Sequence, residues 1–227
     1  MLITPTYASN KNTFSLCDIN EDDIFEPTIT VLQSIKDIIN SEKAEWDMFE
    51  LRKEQYKNFK REIKRKPITE IDEETLLDYQ ELDFFEGAPK WKYDKEVPPR
   101  LALIIDDAMG TDLYSKPRAG LTKFIIAHRH WGDGLGISVF MLTQSYCAIG
   151  SIARPIRENC THLLLFKLRD ENQRKKILEE IGSDVSLEKF EEMFDYATAE
   201  KHNFLFVDFN PKSPDKQFRH NFDTYLN

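Results

Sequence analysis

Two aspartates stand side by side at the end of an unbroken apolar run, Leu101 to Ile105 followed by Asp106-Asp107. A second run, SVFMLT from Ser138 to Thr143, ends in Gln144. A dry strand delivers its last side chain rigidly to the edge of a sheet. A carboxylate placed there can hold Mg²⁺ directly or through water. A second carboxylate beside it can orient or deprotonate an attacking water. A neutral amide at the same edge can touch a phosphate oxygen and that water without adding negative charge. Aspartate also favours strand ends and turns for purely local reasons. A single run of this type therefore says little, and the doubled aspartate with the second strand ending in Thr143-Gln144-Ser145 carries the weight.

Other reactive side chains form weaker sets. His128 and His130 lie two apart with Asp133 near. Together with the aspartate pair they suggest a metal-dependent nuclease, but two histidines at that spacing do not share a helix face. Cys17, Cys147 and Cys160 are few, odd in number and without zinc spacing, so a reducing compartment is expected and a disulfide scaffold is not. Cys147 and Cys160 read as small core residues. No Ser-His-Asp set is identifiable.

The elements that must position these groups follow from hydrophobic patterning. Leu2-Ile3 before Thr4-Pro5-Thr6 reads as the tail of a buried strand. Residues 18–26 carry five acids and no base, which places them at the surface. Val31, Leu32, Ile35, Ile38 and Ile39 have helical spacing. A second helix is expected from Ser41, as its cap, to Lys66, ended by Pro67. Its end holds Lys57, Lys60, Arg61, Lys64, Arg65 and Lys66 against Glu62 alone, and residues 67–86 then carry eight acids and no base. The two charge runs could pair with each other. The basic run reads first as a solvated helix end and second as a contact for DNA or a partner. Residues 41–96 are read as a helical, charged insert.

Beyond Pro98, helices are expected over 116–130, 149–159, 170–181 (ended by Gly182) and 187–199. Strands are expected over 101–105, 136–143, 162–168 and 203–209. Continuous apolar runs alternating with amphipathic helices predict an α/β fold with a mainly parallel sheet covered on both faces. In such sheets ligands bind beyond the carboxyl ends of the strands.

The chain has 227 residues, 41% of them hydrophobic, and a net charge of −9. A sizeable core is within reach, and wholesale disorder is excluded. A uniformly basic nucleic-acid coat is excluded too, although a local basic strip is not. The start, MLITPTYASN, lacks the cationic and apolar regions of a signal peptide. The most apolar long window, 137–153, is too short and polar to span a bilayer.

The ordered set of paired Asp, Arg-His, Gln-Ser-Tyr and Ile-Arg-x-Asn occurs in LALIIDDAMGTDLY, IIAHRHWGDGLGISVFMLTQSYCAIGSIARPIREN and THLLLFKLRDENQRKKILEEIG. This set resembles the DNA-packaging ATPases of poxviruses and other large DNA viruses, a branch of the FtsK–HerA superfamily of P-loop translocases. LITPT is similar to the strand that follows the P-loop helix there. Residues 8–99 match only loosely. The resemblance implies a three-layer RecA-like P-loop NTPase core over residues 1–227, with 41–96 as an insert within it. It implies ATP and Mg²⁺ as cofactors, Asp106 as magnesium ligand, Asp107 as catalytic carboxylate and Gln144 as sensor. Arg129 and Arg157 are the candidates for an arginine that reaches a phosphate across a subunit boundary. The plain alternative for Arg157 is a helix-end residue bound to carbonyls or a carboxylate, and for Arg129 a flank of a buried helix. Implied partners are double-stranded DNA, further copies of the chain in a ring, and viral capsid or portal-vertex proteins, with membrane association only through the capsid. The implied location is the host cytoplasm, at the viral factory, or the virion. Gly132-Asp133-Gly134 and the loop 114–118 are candidate pore elements.

One departure is large. The family requires GxxxxGK[ST] to cradle phosphates, and none of the eight glycines here is followed by Lys. The expected account is an N-terminally incomplete domain whose first strand, P-loop and helix, roughly 30 residues, lie upstream. The alternative is a non-catalytic binding or scaffold subunit that keeps the fold without the nucleotide.

Overall fold

In the computed structural model, residues 1–15, 19–146, 152–181 and 185–226 are described. Cys17, Cys147, Gly150 and Gly182 fall outside them. The described strands are β1 (Leu2–Ile3), β2 (Ile24–Phe25), β3 (Ala102–Asp106), β4 (Ser138–Leu142), β5 (His162–Leu165), β6 (Leu205–Asp208), β7 (Phe218–His220) and β8 (Thr224–Leu226). The helices are α1 (Tyr7–Ser15), α2 (Val31–Arg65), α3 (Glu73–Glu81), α4 (Asp112–Ser115), α5 (Leu121–Ile126), α6 (Arg154–Glu158), α7 (Glu171–Ile181) and α8 (Leu187–Ala197). Two begin on a capping side chain. Asp72 accepts the Thr75 amide at the head of α3, and Ser186 accepts that of Lys189 at the head of α8.

The strands form two sheets. The first is parallel throughout, in the order β2-β1-β3-β4. The second is antiparallel, in the order β5-β6-β7-β8. The expectation of one mainly parallel sheet is corrected here. The runs at 162 and 205 pair with each other antiparallel and lie in the second sheet. Two helices, α7 and α8, join them. A single crossover helix returns the chain for a parallel strand, whereas a second helix brings it back to the end it left.

Each sheet has its own core. Ile3, Leu103 and Ile105 are fully buried on one face of the parallel sheet, against Val31, Leu32, Ile35 and Ile39 of α2 and Leu121, Phe124 and Ile125 of α5. Burying each such side chain is worth about 1.5–3 kcal/mol. The opposite face is not covered at β4, where Phe140 and Leu142 are 55% and 49% exposed. Coverage of both faces therefore does not hold there among the described residues. The second core joins Leu165, Leu205, Val207 and Phe218 to Ile177, Phe190 and Phe194 of α7 and α8.

The helices around residues 31–66 and 116–130 also differ from expectation. Val31–Arg65 is one uninterrupted helix of 35 residues, about 52 Å long. Ser41 lies inside it rather than capping it, since no breaker separates Ile39 from Ser41. Its first turns belong to the core and the remainder extends the arm that carries residues 66–96. There Phe59 packs on Tyr79, Phe84 and Phe85, and Phe49 on Trp46 and Trp91. The helix expected over 116–130 is only Leu121–Ile126. Gly120 adopts φ +71° before it, and the chain continues in turns through Leu135. Within those turns Trp131 stacks on Phe124 and donates its indole N–H to the Phe124 carbonyl at 3.0 Å. No described helix is long and apolar enough to cross a membrane.

Gly132 has φ +60°, and a Cβ there would meet Ile39 Cγ2 at 2.8 Å. Gly134 has φ +87° with open space around it. Gly132→Ala is expected to cost about 1–3 kcal/mol in urea unfolding and Gly134→Ala distinctly less. Equal costs would show that the α2 contact is not the constraint.

Candidate functional site

Parallel pairing brings the chemically suggestive residues to one rim. Ile3 aligns with Ile105, and Asp106 with Leu142. Thr4, Asp106 and the Thr143-Gln144 segment thus follow one another across three adjacent strand ends. Alternation along the strands puts Thr4 and Asp106 on the same face as Phe140 and Leu142. This is the face left open at β4.

Asp107 continues from β3 in the left-handed region, with φ +48°. Aspartate tolerates this conformation better than most side chains, at some cost. The turn aims its carboxylate across the rim, where Gln144 Nε2 donates to Asp107 Oδ1 at 2.9 Å. That bond leaves Asp107 Oδ2 and Gln144 Oε1 available to a further hydrogen-bonding group. Asp106 is held above the ordinary aspartate range, first by burial and then by the negative charge of Asp107, while a hydrogen bond with Thr4 pulls the other way. Thr4 itself is fully buried, and its hydroxyl lies 3.0 Å from that of Thr6.

Gln144 is held from behind. The next two residues, Ser145 and Tyr146, both donate to Gln173 Oε1 of α7, through the Ser145 hydroxyl at 3.2 Å and the Tyr146 amide at 3.1 Å. Thr4 and Gln173 were not singled out from the sequence. Thr4 sat in a segment read only as a strand tail, and Gln173 had no signal to distinguish it from other helix-surface amides.

The two arginine candidates sit in different surroundings. Arg157 lies on α6 with its side chain 9% exposed. It grips Glu180 of α7 through Nε at 2.9 Å and Nη2 at 2.8 Å, and donates to the Ile152 carbonyl at 2.6 Å. Its guanidinium also lies over the Tyr146 ring. These contacts bolt the two sheets together, and the guanidinium would have to leave them to meet a phosphate elsewhere. Arg129 is exposed in the turn after α5 and forms no ion pair among the described residues. The structure does not bring either arginine into hydrogen-bonding contact with Asp106, Asp107 or Gln144.

His128 Nδ1 donates to the Ile125 carbonyl at 2.7 Å, and His130 and Asp133 are exposed. Among the described residues no group of three or more His, Cys, Asp or Glu is arranged to hold a metal, so the nuclease site built on these histidines is not assembled. Cys160 is half-buried, and its thiol donates to the His162 carbonyl. Of the candidate pore segments, Gly132 is packed on α2, and the Tyr114 hydroxyl is buried with no hydrogen-bond partner among the described residues.

The rim presents oxygen ligands from the Asp106 and Asp107 carboxylates and the Gln144 amide, with the Thr4 hydroxyl buried behind them. This set suits Mg²⁺, which takes one or two carboxylates and completes its shell with water and phosphate oxygens. It does not include a cradle for a triphosphate. A cleft of about 600 Å³ between α4, α5 and α6 is lined by Leu113, Lys116, Leu121 and Ile156 but by none of the rim residues. No protein-family model, curated protein or solved structure matches the chain.

Two outcomes follow from these surroundings. A carboxyl whose pKa is raised by the fold contributes stability below its unfolded pKa and loses it as pH rises through the folded value. Asp106→Asn is therefore expected to raise the melting temperature at pH 7, by about 2 °C, with the gain vanishing in acid where both side chains are neutral. A fall at pH 7 would contradict the burial and repulsion at Asp106. Glu180 is shifted the opposite way, below the usual carboxylate range, first by its hydrogen bond from Arg157. Its contribution is present at neutral pH and lost as pH falls through that lowered value. Arg157→Ala is expected to cost about 2–3 kcal/mol in urea unfolding at pH 7, and less in acid. A variant as stable as the parent would show that the clasp carries nothing.

Proposed function

We propose that this chain supplies the metal-holding and water-positioning half of an ATP-driven double-stranded DNA translocase, of the type that packages viral genomes. The observation that carries the reading is the bond between Gln144 and Asp107 beside Asp106, at the carboxyl ends of adjacent parallel strands. In such a site Asp106 holds the cation. Asp107, with one oxygen occupied by Gln144, turns the other toward an attacking water and accepts its proton. Gln144 orients the same water through its carbonyl oxygen. Bound Mg²⁺ supplies charge neutralisation to phosphate oxygens. Arg129, exposed and without an ion pair among the described residues, is the better placed of the two arginines to reach a neighbouring copy in a ring.

The phosphate cradle has no counterpart in these 227 residues. The reading assigns it to a further parallel strand at the edge of β4, which pairs only with β3 among the described strands and leaves Phe140 and Leu142 exposed. A phosphate-binding loop after such a strand would open onto the rim that carries Gln144. The three-layer RecA-like architecture, the viral location and the capsid partner belong to the same proposal.

A second reading is favoured by the missing Gly-Lys-Ser/Thr motif: a scaffold subunit of related fold that binds no nucleotide. The two separate in one experiment. The chain extended by its native upstream coding sequence is assayed for DNA-stimulated ATP hydrolysis. The translocase reading expects turnover that falls on the order of 10²-fold or more in Asp107→Asn and in Asp106→Ala. Unchanged turnover in both variants would sink the site assignment, and absence of both nucleotide binding and turnover would favour the scaffold. The 227-residue chain alone is expected to show no micromolar ATP affinity.

A further inference from the structure

The last turns of α2 have two opposite faces. Phe59 is 3% exposed and packed on α3 and the residues after it, and Glu62 is turned the same way, accepting the Tyr79 hydroxyl at 2.7 Å. On the other side Lys57, Lys60, Arg61, Lys64 and Arg65 are all exposed. At 3.6 residues per turn they fall within about 140° of arc. Lys57 is paired with Glu54 at 2.9 Å. Among the described residues no carboxylate lies within ion-pairing distance of Lys60, Arg61, Lys64, Arg65 or Lys66. The pairing that this basic run could make with the eight acids of 67–86 does not form among the described residues. Those acids ride on the segment packed against the aromatic face, while the cations face away from it.

We infer that this stripe is a binding surface for the sugar-phosphate backbone of duplex DNA. A chain with net charge −9 concentrates cations along one helix face at an outlying arm, and among the described residues four of the five, Lys60, Arg61, Lys64 and Arg65, have no carboxylate partner. From Lys57 to Lys64 the stripe runs about 10 Å, a length over which duplex DNA presents roughly six charges. The stripe itself holds no large apolar side chain, because the aromatic residues of these turns, Tyr56 and Phe59, are turned toward Tyr79, Phe84 and Phe85. Protein interfaces draw on apolar and aromatic anchors at their centres, and membrane-surface helices need an apolar face to insert. A phosphate backbone asks only for cations. The contact carries no base readout, so binding is indifferent to sequence. The acids of α3 require the duplex to approach from the side opposite that helix. The inference names a DNA site for the translocase proposed above, but its chemistry does not depend on nucleotide.

The test uses the intact 227-residue chain without nucleotide. Fluorescence anisotropy of a labelled 30-bp duplex is measured between 50 and 200 mM KCl, about the range over which phosphate contacts are most salt-sensitive. Replacing Lys60, Arg61, Lys64 and Arg65 together by Ala, a strong helix former, is expected to weaken binding at least 10-fold. The slope of log K against log salt should become shallower by about 3–4. Lys175→Ala with Lys176→Ala, an exposed pair on α7, should change neither. Circular dichroism checks that the arm stays folded, and Lys64→Glu alone serves as a milder variant if it does not. Equal affinity and slope in the wild-type and stripe variants would overturn the inference. So would binding to phosphatidylserine vesicles with none to DNA. Loss of DNA binding in the stripe variant supports the surface even if the extended chain proves unable to hydrolyse ATP. DNA binding that persists in the variant removes the surface without touching the Asp106 assignment.

Discussion

Parallel register is the constraint on which the candidate site depends. Pairing of β1, β3 and β4 without offset sets Thr4, Asp106 and the Gln144 segment at one rim. A slip of one residue in β4 would reverse the faces of Phe140, Leu142 and the segment that follows. Ile3, Leu103 and Ile105 share one buried face against α2 and α5, and Val139 and Met141 of β4 pack against the same core, so a slip in β4 would turn Val139 and Met141 away from it. The apolar core thus determines where the polar groups meet.

The site is built at a cost that the rest of the structure carries. Two carboxylates are adjacent, one of them partly desolvated, and Asp107 adopts a backbone conformation that few side chains favour. Each feature opposes folding when no cation is present. Opposing them are the Gln144 bond at the rim, the hold of Gln173 on Ser145 and Tyr146, and the Arg157–Glu180 clasp between α6 and α7. The second sheet, which contributes nothing to the rim directly, locks the segment that ends in Gln144. Arg157 in this arrangement is a fastening between the two halves of the fold.

Much of this was legible in the residues and some was not. The strands ending in Asp106 and Gln144 announced themselves as uninterrupted apolar runs followed by polar residues, a pattern set by burial alone. The division into two sheets was not legible, because β5 and β6 have the same apolar character as β3 and β4 and partner direction depends on how many helices intervene. The end of the helix at Ile126 was signalled only weakly. Gly120 marks its start, but the turns from 127 to 135 arise from Trp131 folding back on Phe124. Ser41 misled because a good capping residue inside a helix is indistinguishable, in sequence, from one at its start. Thr4 and Gln173 act through contacts distant in sequence that no spacing rule reports.

The account stands on Asp106 and Asp107 forming, with Gln144, a cation site at the open rim. Crystals of the chain soaked in Mn²⁺, a stand-in for Mg²⁺, and measured at the manganese edge address this directly. The expected result is an anomalous peak within about 2.5 Å of an Asp106 carboxylate oxygen, absent in Asp106→Ala. An ordered rim with no peak at Asp106, or manganese bound only elsewhere on the molecule, would contradict it.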